Sequence, residues 1–213
     1  MNCEIIPAVL SQTSRDLNQK ISLVKNYVKT IQLDVMDNDF VPNQTVGLDS
    51  FSDLPSDIQF EFHWMVHHPE RWIAKLQKPF FHWVHVESKI DWPKLKKAVE
   101  STQGLLGIAL NPDTSVQDLG EHAFFASGFL VMTVHPGFSG QLYLPKVEEK
   151  ISILRKKFPE TDIEVDGGIN LQTIARAQKA GANKFVCGSS IFSNSNPAQA
   201  IQELSLIVNQ GMK

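Results

Sequence analysis

The chain has 213 residues, of which 42% are hydrophobic and 20% charged, with a formal net charge of −3. That is enough apolar material for one sizeable core and too little charge for disorder. It also argues against a nucleic-acid partner: Lys94, Lys96 and Lys97 share a mixed run with Glu100, the pattern of a solvated helix face.

The first apolar run, Ile5–Leu10, reads as a strand. It is too short for a secretory leader, contains Pro7 and follows a stretch that is not basic. From Asp16 to Val28, Leu17, Ile21, Val24 and Val28 recur at helical spacing. Thr30–Met36 reads as a second strand with Ile31, Leu33 and Val35 on one face, followed by a loop rich in Asp, Asn, Pro and Gly to about Ser50. Phe60–Met65 is a third strand and Pro69–Leu76 a short helix. Phe81–Val86 and Gly104–Leu110 read as strands, with the helix Trp92–Ser101 between them. Phe129–Val134 leads into a glycine-bearing loop, His135–Tyr143, and then a helix, Pro145–Phe158, whose proline suits a first turn. Ile163–Val165, Leu171–Ala180, Phe185–Cys187 and Ala198–Val208 complete the alternation of strand and helix. No apolar run approaches the length of a membrane span. Cys3 and Cys187 have neither metal spacing nor a disulfide framework, and free thiols fit a cytoplasmic protein.

Eight strand–helix pairs in strict alternation predict an α/β chain with parallel strands and helical crossovers. In this length they predict a closed (β/α)8 TIM barrel, a single domain over residues 1–213. The turn after the first strand, Leu10-Ser11-Gln12-Thr13, lacks the glycines of an open dinucleotide-binding sheet.

Active sites of such barrels lie at the C-terminal ends of the strands. The polar residues expected there are Gln32, Asp34 and Asp37, His63, His85 and Glu87, Asn111, His135, and Glu164 and Asp166. Asp34, His63 and Asp166, from three different strands, could together hold a divalent metal. Three glycine-bearing segments fall in the last third of the chain: Gly137-Phe138-Ser139-Gly140, Gly167-Gly168 and Gly188-Ser189. Glycine lets backbone N–H groups approach an anion, and the last two loops of this fold often form a phosphate site.

Taken together, these motifs resemble the ribulose-phosphate 3-epimerase family. The matching stretches are Pro7–Ser11, Leu33–Asp37 with Phe40–Asn43, His63–Met65, Val84–Glu87, Leu110–Pro112, Met132–Gln141, Glu164–Asn170 and Gly188-Ser189. They run in family order over nearly the whole chain. The resemblance implies a barrel of the ribulose-phosphate-binding type and an isomerase acting on a ketopentose phosphate or related ketose phosphate. It implies that Asp34 and Asp166 are the two bases that move the proton at carbon 3. It implies one divalent ion (Zn, Mn, Fe or Mg) on Asp34, His63 and Asp166, with Gln32 a candidate fourth ligand, and walls of Met36, Met65 and Met132. A homo-oligomer is expected for the same reason.

Two positions depart from the family pattern. Gln32 stands where the family carries a histidine ligand, and Ala8 where it carries a serine that contacts substrate. An amide oxygen is a harder ligand than imidazole and suits magnesium better than zinc. Ala8 removes a hydrogen-bond partner worth roughly 0.5–1.5 kcal/mol. Asn38 and Asp39 replace a glycine and a histidine, and asparagine tolerates a left-handed backbone. The departures leave a second reading open, a non-catalytic or altered-specificity sugar-phosphate-binding barrel. A third, a related decarboxylase or aldolase barrel, calls for Asp-x-Lys-x-x-Asp on strand two, where this chain has Asp34-Val35-Met36-Asp37.

Overall fold

Eight strands follow one another around a closed, all-parallel barrel in the computed structural model, which describes residues 2–210. They are β1 (Glu4–Val9), β2 (Thr30–Met36), β3 (Gln59–Met65), β4 (Phe81–His85), β5 (Leu105–Leu110), β6 (Gly128–Met132), β7 (Asp162–Asp166) and β8 (Lys184–Cys187). Around them lie α1 (Ser14–Val24), α2 (Pro69–Ile73), α3 (Trp92–Ser101), α4 (Glu148–Lys157), α5 (Ile174–Ala180), α6 (Ser189–Phe192) and α7 (Pro197–Gln210). The α/β barrel is thus as expected, while the expected extent of 1–213 reaches past the described residues at both ends. No helix among the described residues is long and apolar enough to cross a membrane.

Alternation along each strand separates two cores. Outward residues such as Ile31, Leu33, Val35, Phe62, Trp64, Phe129 and Phe185 pack beneath the helices, together with Leu17, Ile21 and Val24 of α1. Inward residues fill the barrel. Trp83 is the largest of these and is fully buried. Gly107 and Gly128, on β5 and β6, make room for its indole. A Cβ at Gly107 would lie 2.2 Å from Trp83 Cε3, and one at Gly128 would lie 2.7 Å from Cη2.

The boundaries differ from expectation in physically informative ways. Helix α1 starts at Ser14, because the Thr13 side chain caps it by accepting the Asp16 N–H at 3.2 Å. It ends at Val24 rather than Val28, because Tyr27 N–H bonds back to Val24 O at 2.9 Å and tightens the last turn toward β2. Pro145–Val147 forms a 3₁₀ turn before α4 rather than its first turn. Two of the seven crossovers between strands carry no α-helix, which corrects the expected eight strand–helix pairs. β2 and β3 are joined through the 3₁₀ turn Leu48–Phe51, and β5 and β6 through the 3₁₀ segment Val116–Phe124, which is broken at Gly120 with φ 52°.

Candidate active site

Strand register brings the predicted residues into one layer. Asp34 pairs with His63 and Met36 with Met65 across β2 and β3, and Met132 pairs with Asp166 across β6 and β7. All of these side chains line a single cleft at the C-terminal mouth of the barrel. Gly137, Phe138, Ser139, Gly140, Gly167, Gly168, Gly188, Ser189 and Ala8 line the same cleft. Gln32 lies one inward position below Asp34 and is fully buried.

The floor of the cleft is a compact polar cluster. Ligand atoms of Asp34, His63 and Asp166 lie within 4.8 Å of one another. His63 Nδ1 is 3.2 Å from Asp34 Oδ1 and 3.3 Å from Asp166 Oδ2. Gln32 Nε2 donates to the same two oxygens, at 2.9 Å each. Two carboxylates, from β2 and β7, are therefore held by one amide and one imidazole. Gln32 Oε1 is buried without a hydrogen-bond partner among the described residues. A half-turn of the amide would exchange Nε2 and Oε1 and present an oxygen to a cation. Two carboxylates, an imidazole and an amide oxygen form a donor set that suits a divalent ion.

Burial and charge divide these groups. Burial pushes the Asp34 carboxyl up and the Asp166 charge adds to this, against hydrogen bonds from His63 and Gln32. Burial opposes the charged form of His63, but hydrogen bonds to Asp166 and Asp34 prevail and lift its pKa to about 9. The aspartates thus hold a positive charge between them, as a site for a cation would.

The rim is tied together by hydrogen bonds. Asn43 Nδ2 donates to Gly137 O at 2.7 Å, joining the loop after β2 to the loop after β6. Gln141 Nε2 closes that second loop on His135 O and Phe138 O, at 2.6 and 2.9 Å. Thr133 Oγ1 donates to Asp166 O at 2.9 Å, and Thr173 Oγ1 donates to Gly168 O at 2.8 Å. Gly168 adopts φ +63°, and a Cβ there would lie 2.5 Å from Tyr143 N, so both conformation and space require glycine. Met36 and Met65 pack with Val41 into an apolar wall, and Met132 packs with Trp83 and Ala109.

Other strand-end residues turn elsewhere. Asp37 accepts the N–H groups of Asp39, Phe40 and His67 and so shapes the loop after β2. Asn38 adopts φ 61°, the left-handed conformation that asparagine tolerates. His135 is exposed and lies 3.6 Å from Asp113. Sequence reasoning assigned no role to His85, the last residue of β4, and Glu87 just after it, which extend the polar cluster behind His63. It also missed Glu61, which lies inward with Glu164 below the cleft, near Lys184. Burial pushes the Glu61 carboxyl up to about 7, and burial together with the neighbouring Glu61 charge pushes Glu164 well above its ordinary range. The signal was period two: Glu61 sits two residues before His63, and Glu164 two before Asp166.

The model of the ribulose-phosphate 3-epimerase family matches residues 4–192. The cytoplasmic isoform of ribulose-phosphate 3-epimerase from Oryza sativa subsp. japonica is 36% identical over 210 residues, covering 94% of this chain and 92% of the relative. Ribulose-phosphate 3-epimerase of Candida glabrata is 34% identical over 230 residues, covering 98% and 94%. Among solved structures, 3-hexulose-6-phosphate synthase from Salmonella typhimurium superposes with a TM-score of 0.70 at 14% identity, covering 97% of this chain and 99% of that one. At that identity the likeness speaks for the barrel alone.

Proposed function

The chain belongs to the ribulose-phosphate 3-epimerase family and is an isomerase of that kind, and from that premise we propose that Asp34 and Asp166 epimerise carbon 3 of a ketopentose phosphate by two-base proton transfer. One observation carries this reading. Two carboxyl groups on different strands share the cleft floor and are oriented by the same two donors, Gln32 and His63.

Carbon 3 of such a sugar lies beside the carbonyl, so its proton is acidified. One aspartate takes that proton and the electron pair moves toward the carbonyl oxygen, giving an enediolate. The other aspartate returns a proton to the opposite face of carbon 3 and the carbonyl re-forms. The two roles require opposite protonation states, and the upward push on Asp34 supports such an asymmetry. Met36, Met65 and Met132 would keep water from the reactive carbanion.

Asp34, His63 and Asp166 are the residues we assign to a divalent ion of the Zn, Mn, Fe or Mg type, with Gln32 as fourth donor through its oxygen. Such an ion supplies Lewis-acid stabilisation of negative charge developing on the sugar oxygens. The phosphate belongs in the cradle of Gly137–Gly140, Gly167-Gly168 and Gly188-Ser189. The positive φ of Gly137, Gly140, Gly167 and Gly168 supports this by leaving the backbone unscreened. A cytoplasmic location and a homo-oligomer belong to the same reading. The cytoplasmic rice relative supports the first, and exposed Phe124 and Phe125 support the second.

The test is epimerisation of ribulose 5-phosphate by the wild type, Asp34→Asn and Asp166→Asn. Each variant should lose about a hundredfold or more in rate, the scale of a lost general acid or base, while retaining sugar-phosphate binding. Full activity in either variant would remove that residue from the mechanism.

A further inference from the structure

Behind His63 the hydrogen bonds run in one direction. Glu87 Oε1 accepts the Asn111 backbone N–H at 2.7 Å, and Glu87 Oε2 lies 3.2 Å from His85 Nδ1. His85 Nε2 lies 2.8 Å from His63 Nε2, with the two rings tilted only 25° from parallel. Both imidazoles are fully buried, and Phe40 packs on His85 with ring centroids 4.9 Å apart.

An ionised carboxylate can only accept. Glu87 turns one oxygen to the Asn111 backbone N–H and the other to His85 Nδ1, the arrangement of a carboxylate that accepts on both sides. His85 must then carry its proton on Nδ1. An imidazole with one proton, on Nδ1, presents its lone pair at Nε2, which lies 2.8 Å from His63 Nε2. His63 must therefore donate from Nε2, and a cation that displaces the proton His63 holds between Asp34 and Asp166 meets the lone pair on Nδ1.

We propose that His85 and Glu87 are positioning residues that fix the ring orientation and tautomer of His63, so that Nδ1 is offered to a cation held with Asp34 and Asp166. This rests on the assignment of His63 as a metal ligand. Partners of this kind typically govern affinity by about 10–100-fold.

Glu87→Gln tests the polarity with an isosteric change. If the amide NH2 faces Asn111, two donors meet. If it faces His85, His85 moves its proton to Nε2 and His63 is driven to the tautomer protonated on Nδ1. His85→Phe removes the acceptor outright, and Glu87→Gln keeps the test valid if that variant fails to fold. Calorimetric titration of the metal-stripped proteins with Mn²⁺ and Zn²⁺ should show about 10–100-fold weaker binding for each variant. Long-range ¹H–¹⁵N spectra of the zinc-loaded wild type should show His63 protonated on Nε2 and bare on Nδ1, a readout that loss of packing alone would not change. Unaltered affinity in Glu87→Gln, or a wild-type His63 bare on Nε2, overturns the proposal. A wild type that binds neither ion overturns the metal assignment itself, and the proposal with it.

Discussion

Gln32 is the residue on which the chemistry of this chain turns. It pairs in register with Ala8, so the two departures from the family pattern are neighbours on β1 and β2. Its amide bridges the two proposed bases in place of an imidazole, and a neutral oxygen donor favours a harder ion. Gln32→His should therefore raise affinity for zinc relative to magnesium by at least about tenfold, as expected for adding an imidazole to a tetrahedral site. Competitive titration of the two ions checks this, and an unchanged preference would show that Gln32 does not reach the ion. Most residues of this floor could be read from the chain, because Asp34, His63 and Asp166 each sit at the end of an apolar run. The partnership of His63 with His85 could not. It depends on how far one strand is offset from the next, and nothing local to either strand encodes that offset.

Among the elements, β4 to β6 show how local sequence yields to tertiary demand. Their β character was plain from Phe81, Val84, Ile108 and Val131. That Gly107 and Gly128 exist to admit Trp83 was not, because a strand glycine has no pattern of its own until its neighbour across the sheet is known. Gly107→Ala should destabilise the fold by about 1–3 kcal/mol, the cost of overpacking a filled interior. A denaturant titration measures it, and a neutral result would mean that Trp83 can move aside. The short helices were harder to place than the strands. α1 ends early on a backbone bond from Tyr27, and the crossovers after β2 and β5 make only 3₁₀ turns, so the apolar periodicity that marks helices was weak or absent there.

For the whole molecule, buried titratable groups set the response to pH. His82 is fully buried, accepts the Trp64 Nε1–H at 3.2 Å, and is pushed by burial down to about 3. Its folded pKa lies below the unfolded value, so below about pH 6.5 the unfolded chain takes up a proton that the folded chain does not. Stability from this group is present above about pH 6.5 and is lost as pH falls toward about 3, at up to roughly 1.4 kcal/mol per pH unit. Glu61 has the opposite sign. Its contribution is present below about pH 4.5 and lost as pH rises through about 7. Between about pH 4.5 and 6.5 the contributions of these two groups oppose each other. His82→Gln should expose the falling limb of Glu61, with the variant gaining on the wild type as the solution is acidified. Equal pH dependence in urea melts of the two proteins would contradict that assignment.

Turnover with Gln32 in place is the claim on which everything else depends. The direct measurement is deuterium incorporation at carbon 3 of ribulose 5-phosphate in D₂O, followed by NMR, with the wild-type protein stripped of metal and then supplied in turn with manganese, magnesium, iron and zinc. Exchange at carbon 3 together with appearance of the epimer, restored by at least one ion, is the predicted result. Saturable binding of the sugar phosphate with no exchange under any of these ions would contradict the claim and leave a barrel that binds its ligand without transforming it.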